Sequence, residues 1–176
     1  MIAFLKFIIR IANIINEWVG KTASWLTLLL VLLVCLDVGK RYIFNDASVW
    51  GMELEWHLFA AIFLLGAGYA FKHDRHVRVD LFYANFSKID KAWTNLVGGL
   101  VFLIPWCVLI IFASFSYAKG SFVILEESPD PDGLPFRFII KFTVTIGIGL
   151  LLLQGIANVA ESVLVLIEKP KSQEQD

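Results

Sequence analysis

The chain has 176 residues, 58% of them hydrophobic, a mean hydropathy of +0.72 and a formal net charge of −1. That apolar content excludes an ordinary soluble domain, which sits nearer half apolar, and the near-neutral balance leaves no electrostatic footprint for a nucleic-acid partner. Cys35 and Cys107 both fall inside apolar stretches, which argues against a disulfide framework or a metal pair and for small buried hydrophobes.

In residues 2–17 the polar Lys6, Arg10, Asn13 and Glu17 recur at helical spacing, with Phe4, Ile8, Ile11 and Ile15 opposite. The pattern predicts that residues 1–19 form an amphipathic helix lying in the membrane interface. Lys21, where a small-residue cleavage site would fall, argues against a cleaved leader. A four-helix transmembrane domain is expected over residues 20–167, with spans at about 20–44, 52–71, 88–119 and 135–167. Each is long enough to cross roughly 30 Å of hydrocarbon. A short second interfacial helix is expected at about 80–86, capped by Asp80, and a polar tail at 168–176. Ser87-Lys88-Ile89-Asp90 opens the third span like a capping box. Pro105 predicts a kink within it, because proline removes one backbone hydrogen bond, and Pro135 suits the first position of the fourth. The fold class is therefore an all-α integral membrane protein. Lys and Arg are in excess in the N-terminal segment, the second connection and the tail, so both termini are placed in the cytoplasm.

Intramembrane charge marks ion and substrate pathways, and the middles of the third and fourth spans carry almost none. Gln154 and Asn158 are the deep amides of the fourth span, read as ties between helices. Asp37, Lys40, Arg41, Glu53 and Glu55 fall at similar depth around the first connection, read as a structural ion-pair cluster, with Arg41 facing Glu55. A hard-cation site is the alternative for those carboxylates, disfavoured by the two adjacent bases. Gly98, Gly99, Gly147, Gly149 and Gly155 are candidates for close helix packing. Arg75, His76, Arg78 and Asp80, in the charged run after the second span, read as interfacial anchors. The outer loop carries Glu126, Glu127, Asp130 and Asp132 without a basic residue, stiffened by Pro129, Pro131 and Pro135. It is either a rigid connector or a docking surface for a soluble partner with a basic face. His57 lies roughly 24 Å along a helix from His73 and His76, which disfavours a haem needing two axial ligands at one depth. No catalytic constellation, metal site or cofactor is expected.

Several short stretches, taken in order, resemble the small membrane subunit (DctQ type) of tripartite ATP-independent periplasmic, or TRAP, transporters. They are Arg41-Tyr42-Ile43-Phe44-Asn45, Glu53-Leu54-Glu55-Trp56-His57-Leu58-Phe59, Gly66-Ala67-Gly68-Tyr69, His76-Val77-Arg78-Val79-Asp80, and Gly133-Leu134-Pro135 with Arg137 and Lys141. They extend across about residues 20–160. The resemblance implies a bacterial inner-membrane, multi-pass scaffold without catalysis of its own. Its stable partner would be a large multi-span subunit that carries an organic acid inward with sodium by an elevator movement. A periplasmic substrate-binding protein would dock transiently, and membrane lipids would surround the whole. A membrane anchor of a haem- or quinone-linked redox enzyme, supported by His57, is the alternative, and a free-standing structural membrane protein a third reading.

Overall fold

The computed structural model describes residues 2–74, 83 and 85–168. Among them lie four helices long and apolar enough to span a membrane, and no strand. The expected interfacial helix at 80–86 and the 169–176 part of the tail fall largely or wholly outside the described residues.

The first helix, α1, runs from Ile2 to Phe44 without interruption, 43 residues or about 64 Å at 1.5 Å per residue. The amphipathic segment and the first span are thus one continuous helix rather than two elements. No proline interrupts it, and its inward seam is made of small or polar residues, Ala12, Asn16, Gly20 and Ala23, spaced three or four apart. It stops at Asn45, whose φ of 53° is left-handed, a conformation asparagine tolerates better than most residues.

The second helix, α2, spans Val49–Lys72. The third, α3, spans Lys88–Val123. Its start is capped as the sequence pattern predicts: Ser87 Oγ accepts from Asp90 N at 3.2 Å and donates to Asp90 Oδ2 at 2.6 Å. The disturbance expected at Pro105 takes the form of a π-helical turn over Gly99–Leu103, which ends two residues before the proline. There the missing N–H is absorbed by a change of hydrogen-bond register, a recognised site of helix bending.

The fourth helix, α4, spans Phe138–Glu168, beginning three residues after Pro135. Phe136 adopts φ 63°, and the Arg137 amide is taken by Glu126 O at 2.9 Å, so the chain is still part of the loop at those residues. α4 is the central helix, packed against α1, α2 and α3. In its most apolar window 39% of residues are buried, against 6–11% in the other three, which turn most of their apolar surface outward as lipid-facing helices do.

Candidate functional site

The outer end is organised by Glu53, in the first turns of α2. Its side chain, 6% exposed, accepts hydrogen bonds from Ser128 Oγ (2.6 Å), Leu134 N (2.6 Å) and Arg137 Nη2 (2.7 Å). One carboxylate thereby holds two points of the outer hairpin and the entrance to α4. Gly133 is needed there, because a Cβ would run into Ser128 and lie 2.9 Å from Glu53 Oε2. Arg137 also approaches the Trp56 ring, 6.0 Å from its centroid.

The five residues expected to form one cluster are divided. Asp37 pairs with Arg41 along α1 at 2.7 Å, and Lys40 with Asp46 at 3.3 Å. Glu53 turns to Arg137, and one oxygen of Glu55 is buried with no hydrogen-bond partner among the described residues. Arg41 meets Asp37 rather than Glu55 because residues four apart on one helix are neighbours. The partners of Glu53 come from 75–84 positions away, a separation that periodicity does not reveal.

The four acidic residues of the outer loop also play different parts. Glu126 is half-buried and forms an ion pair with Lys141, whose ammonium lies 4.0 Å from the Tyr117 ring centroid. The Lys141 hydrogen bond holds the Glu126 carboxyl below the usual glutamate range. Glu127, Asp130 and Asp132 are exposed. The turn beneath them is closed by Gly133 N donating to Asp130 O at 3.1 Å, with Asp132 at φ 61°.

At the inner end Glu17 of α1 accepts from Lys72 Nζ (2.8 Å), lies 3.0 Å from His73 Nε2, and pairs with Lys21 at 3.0 Å. Lys72 also donates to Asn13 O at 3.1 Å. This collar ties the end of α2 to α1 immediately before the anchoring set Arg75, His76, Arg78 and Asp80, which lies outside the described residues. Further in, Asn16 Nδ2 is within hydrogen-bond reach of Ala12 O, Leu150 O and Gln154 Oε1 (3.1–3.3 Å), while Gln154 Nε2 donates to Asn13 Oδ1 at 2.9 Å. Asn16 is wholly buried, and its Oδ1 sits against Gly68, where a side chain would occupy the same space. Gln154 thus ties helices as expected of a deep amide. Asn158 instead lines a cleft between α3 and α4.

Of the packing glycines, a Cβ at Gly147 would lie 2.6 Å from Leu64 O, one at Gly155 2.7 Å from Leu103 Cδ2, and one at Gly99 would strike Val159. Gly98 and Gly149 face open space. Close approaches that the sequence reading did not single out occur at Gly20 against Tyr69 and at Gly68 against Asn16. The first has a legible signal, a small residue every three or four positions along α1. The carboxylate hubs have none in a single sequence.

Among the described residues no group of three or more His, Cys, Asp or Glu side chains could hold a metal ion. His57 Nδ1 lies 2.6 Å from Glu53 O, so that nitrogen is the donor and is engaged within its own helix.

Residues 30–165 match the family described as "Tripartite ATP-independent periplasmic transporters, DctQ component". Among similar proteins, the C4-dicarboxylate TRAP transporter small permease protein DctQ of Vibrio cholerae serotype O1 is 25% identical over 112 residues, 61% of this chain and 48% of the relative. The sialic acid TRAP transporter small permease protein SiaQ of the same organism is 35% identical over 96 residues, 54% of this chain and 53% of the relative. The chain spans about half the length of these curated relatives. The family match covers most of the chain, including nearly all of three of its four membrane-length helices, and the chain belongs to the DctQ family of TRAP transporter small permease subunits, which are non-catalytic, multi-pass proteins of the inner membrane.

Proposed function

We propose that this chain is the fixed scaffold of a sodium-coupled, binding-protein-dependent transporter for an organic acid. It braces a large elevator subunit in the bilayer, and its outer hairpin helps a periplasmic binding protein dock. The observation that carries this reading is the distribution of polar contacts. Ion pairs lock the helices together at both ends, at Glu53–Arg137 and at Glu17–Lys72, while the intervening spans are joined by amides and small residues. Such a body resists shear and offers no charged path through its middle, as a stationary support requires. Relatives named for C4-dicarboxylates and for sialic acid both serve carboxylated substrates, which favours an organic acid here. Deleting the gene should abolish sodium-dependent uptake of the acid, and re-expression should restore it. Uptake that continues at the normal rate without the chain would defeat the scaffold role.

A further inference from the structure

One side of α2 packs on the rest of the bundle: Gly51, Glu53 and Gly68 are buried, Leu64 meets Gly147 of α4, and Tyr69 meets Gly20 of α1. On the other side Met52, Glu55, Phe59, Phe63, Gly66 and Ala70 follow one another three or four residues apart. They cover 18 residues in five steps, the 3.6-residue period of an α-helix, and so form one straight seam. Met52, Phe59 and Phe63 are exposed along it. The seam carries two features that nothing in the chain uses. The first is charge: the half-buried Glu55 makes no hydrogen bond or ion pair among the described residues, and one of its carboxylate oxygens is sealed from solvent. Gly51 faces Asp37, so Glu55 stands one helical turn, about 6 Å, further into the span than the Asp37–Arg41 pair. A carboxylate held there without a partner is destabilising, and a cation brought to it would relieve the cost. The second is space: a Cβ at Gly66 would have nothing within 4 Å, and Ala70 follows four residues later on the same side. Glycine inside a helix is destabilising relative to alanine, and no contact among the described residues requires one here. Small residues four apart on an outward face let a second helix approach closely.

Building on the scaffold role, we propose that this seam is the seat of a transmembrane helix of the large subunit. That helix rests closely on Gly66 and Ala70 and presents an arginine or lysine to Glu55, about 16 Å further out along α2. Lipid would answer only half of the seam. An amine headgroup would pair with Glu55, but a fluid acyl chain accommodates a larger side chain as readily as a glycine. A second copy of this chain fails on charge. Two copies inserted in the same orientation are related by an axis along the membrane normal, so α2 against α2 would set Glu55 beside Glu55 at one depth. The seam itself has no basic residue to offset them. A helix of a different protein, with a cation at the outer level and a close-packing surface below it, meets both needs at once.

The test uses the full chain co-expressed with the large subunit of its transporter and purified in mild detergent. Glu55→Gln should weaken retention of the large subunit about tenfold, although the variant chain on its own melts no lower than wild type. Gly66→Leu fills the space on the seam and should abolish retention, again without lowering the melting temperature of the chain alone. A photo-reactive benzoylphenylalanine placed at Phe59 should cross-link to the large subunit in the native membrane. Normal retention by Glu55→Gln would overturn the seat, and so would a Phe59 cross-link to lipid alone or to a second copy of this chain. Both outcomes can be read even if Gly66→Leu does not fold. A wild-type chain that retains no large subunit at all would sink the scaffold role itself. A wild type that retains it while the Phe59 cross-link or the Glu55→Gln loss is missing would sink only the assignment of this face.

Discussion

Glu126 and Glu53 are carboxylates of the same outer end, and their neighbours give them separate uses. Glu126 lies outside the spans, and its pKa is lowered chiefly by the Lys141 hydrogen bond. Its stabilising contribution is therefore complete above the unfolded glutamate pKa and is lost as pH falls through the lower, folded value. Melting curves of wild type and Glu126→Gln, taken from neutral pH downward, should converge below the usual glutamate range; a constant offset at all pH values would mean that the ion pair contributes nothing that titrates. Glu53 is different because its oxygens hold the hairpin to α2. Glu53→Leu should strip Ser128, Leu134 N and Arg137 of their acceptor, lower the melting temperature by several degrees and expose the hairpin to protease. The converse substitution Glu55→Gln removes a charge whose buried oxygen has no described partner, and should be neutral or stabilising in the same assay. None of these distinctions was legible in the sequence. Glu53, Glu55, Glu126 and Glu127 are alike in type and approximate depth, and only contacts with distant residues separate them.

At the scale of the helix, much more was readable. Four apolar stretches with capping and proline signals located four helices, because a bilayer forces the backbone to satisfy itself within each span. The joining of residues 2–17 to the first span was not readable, since an amphipathic pattern followed by an apolar one fits either two helices or one. The continuous helix is locked to α4 by polar groups facing inward, Asn16 and Asn13 on Gln154, while Phe4 and Trp18 are exposed. Asn16→Leu and Gln154→Leu should each destabilise by about 1 kcal/mol, and the double variant by less than the sum, because both remove the same bonds. Full additivity in thermal unfolding would show that the two amides do not act as a unit. The glycines of α4 offer a sharper contrast. At Gly147 the obstacle to a Cβ is the Leu64 backbone, which cannot yield without moving α2 away. Gly147→Ala should therefore lower the melting temperature, whereas Gly149→Ala, facing open space, should be neutral or stabilising by up to about 0.5–1 kcal/mol from helix propensity.

The whole molecule presents two different ends to two different environments. Its inner end gathers Lys21, Lys72 and His73 on Glu17, and its outer end clamps a proline-stiffened hairpin whose exposed charges are Glu127, Asp130 and Asp132. Glu126 was expected to share that surface, but its pairing with Lys141 makes it part of the clamp. A docking test should therefore spare it. Glu127→Lys, Asp130→Lys and Asp132→Lys together reverse the exposed charge and leave Glu53, Glu126, Arg137 and Lys141 in place. If the hairpin steers a basic face of the binding protein, uptake at limiting binding protein should fall several-fold. The loss should shrink as salt is raised, because exposed charges are screened within about 10 Å at 0.1 M ionic strength. Saturating binding protein should restore the rate, since the reversed charges act on encounter rather than on the transport step. Unchanged uptake at limiting binding protein and low salt would leave the hairpin a connector. Glu53 would then serve to hold the entrance of α4, and the docking surface would have to be sought elsewhere in the complex.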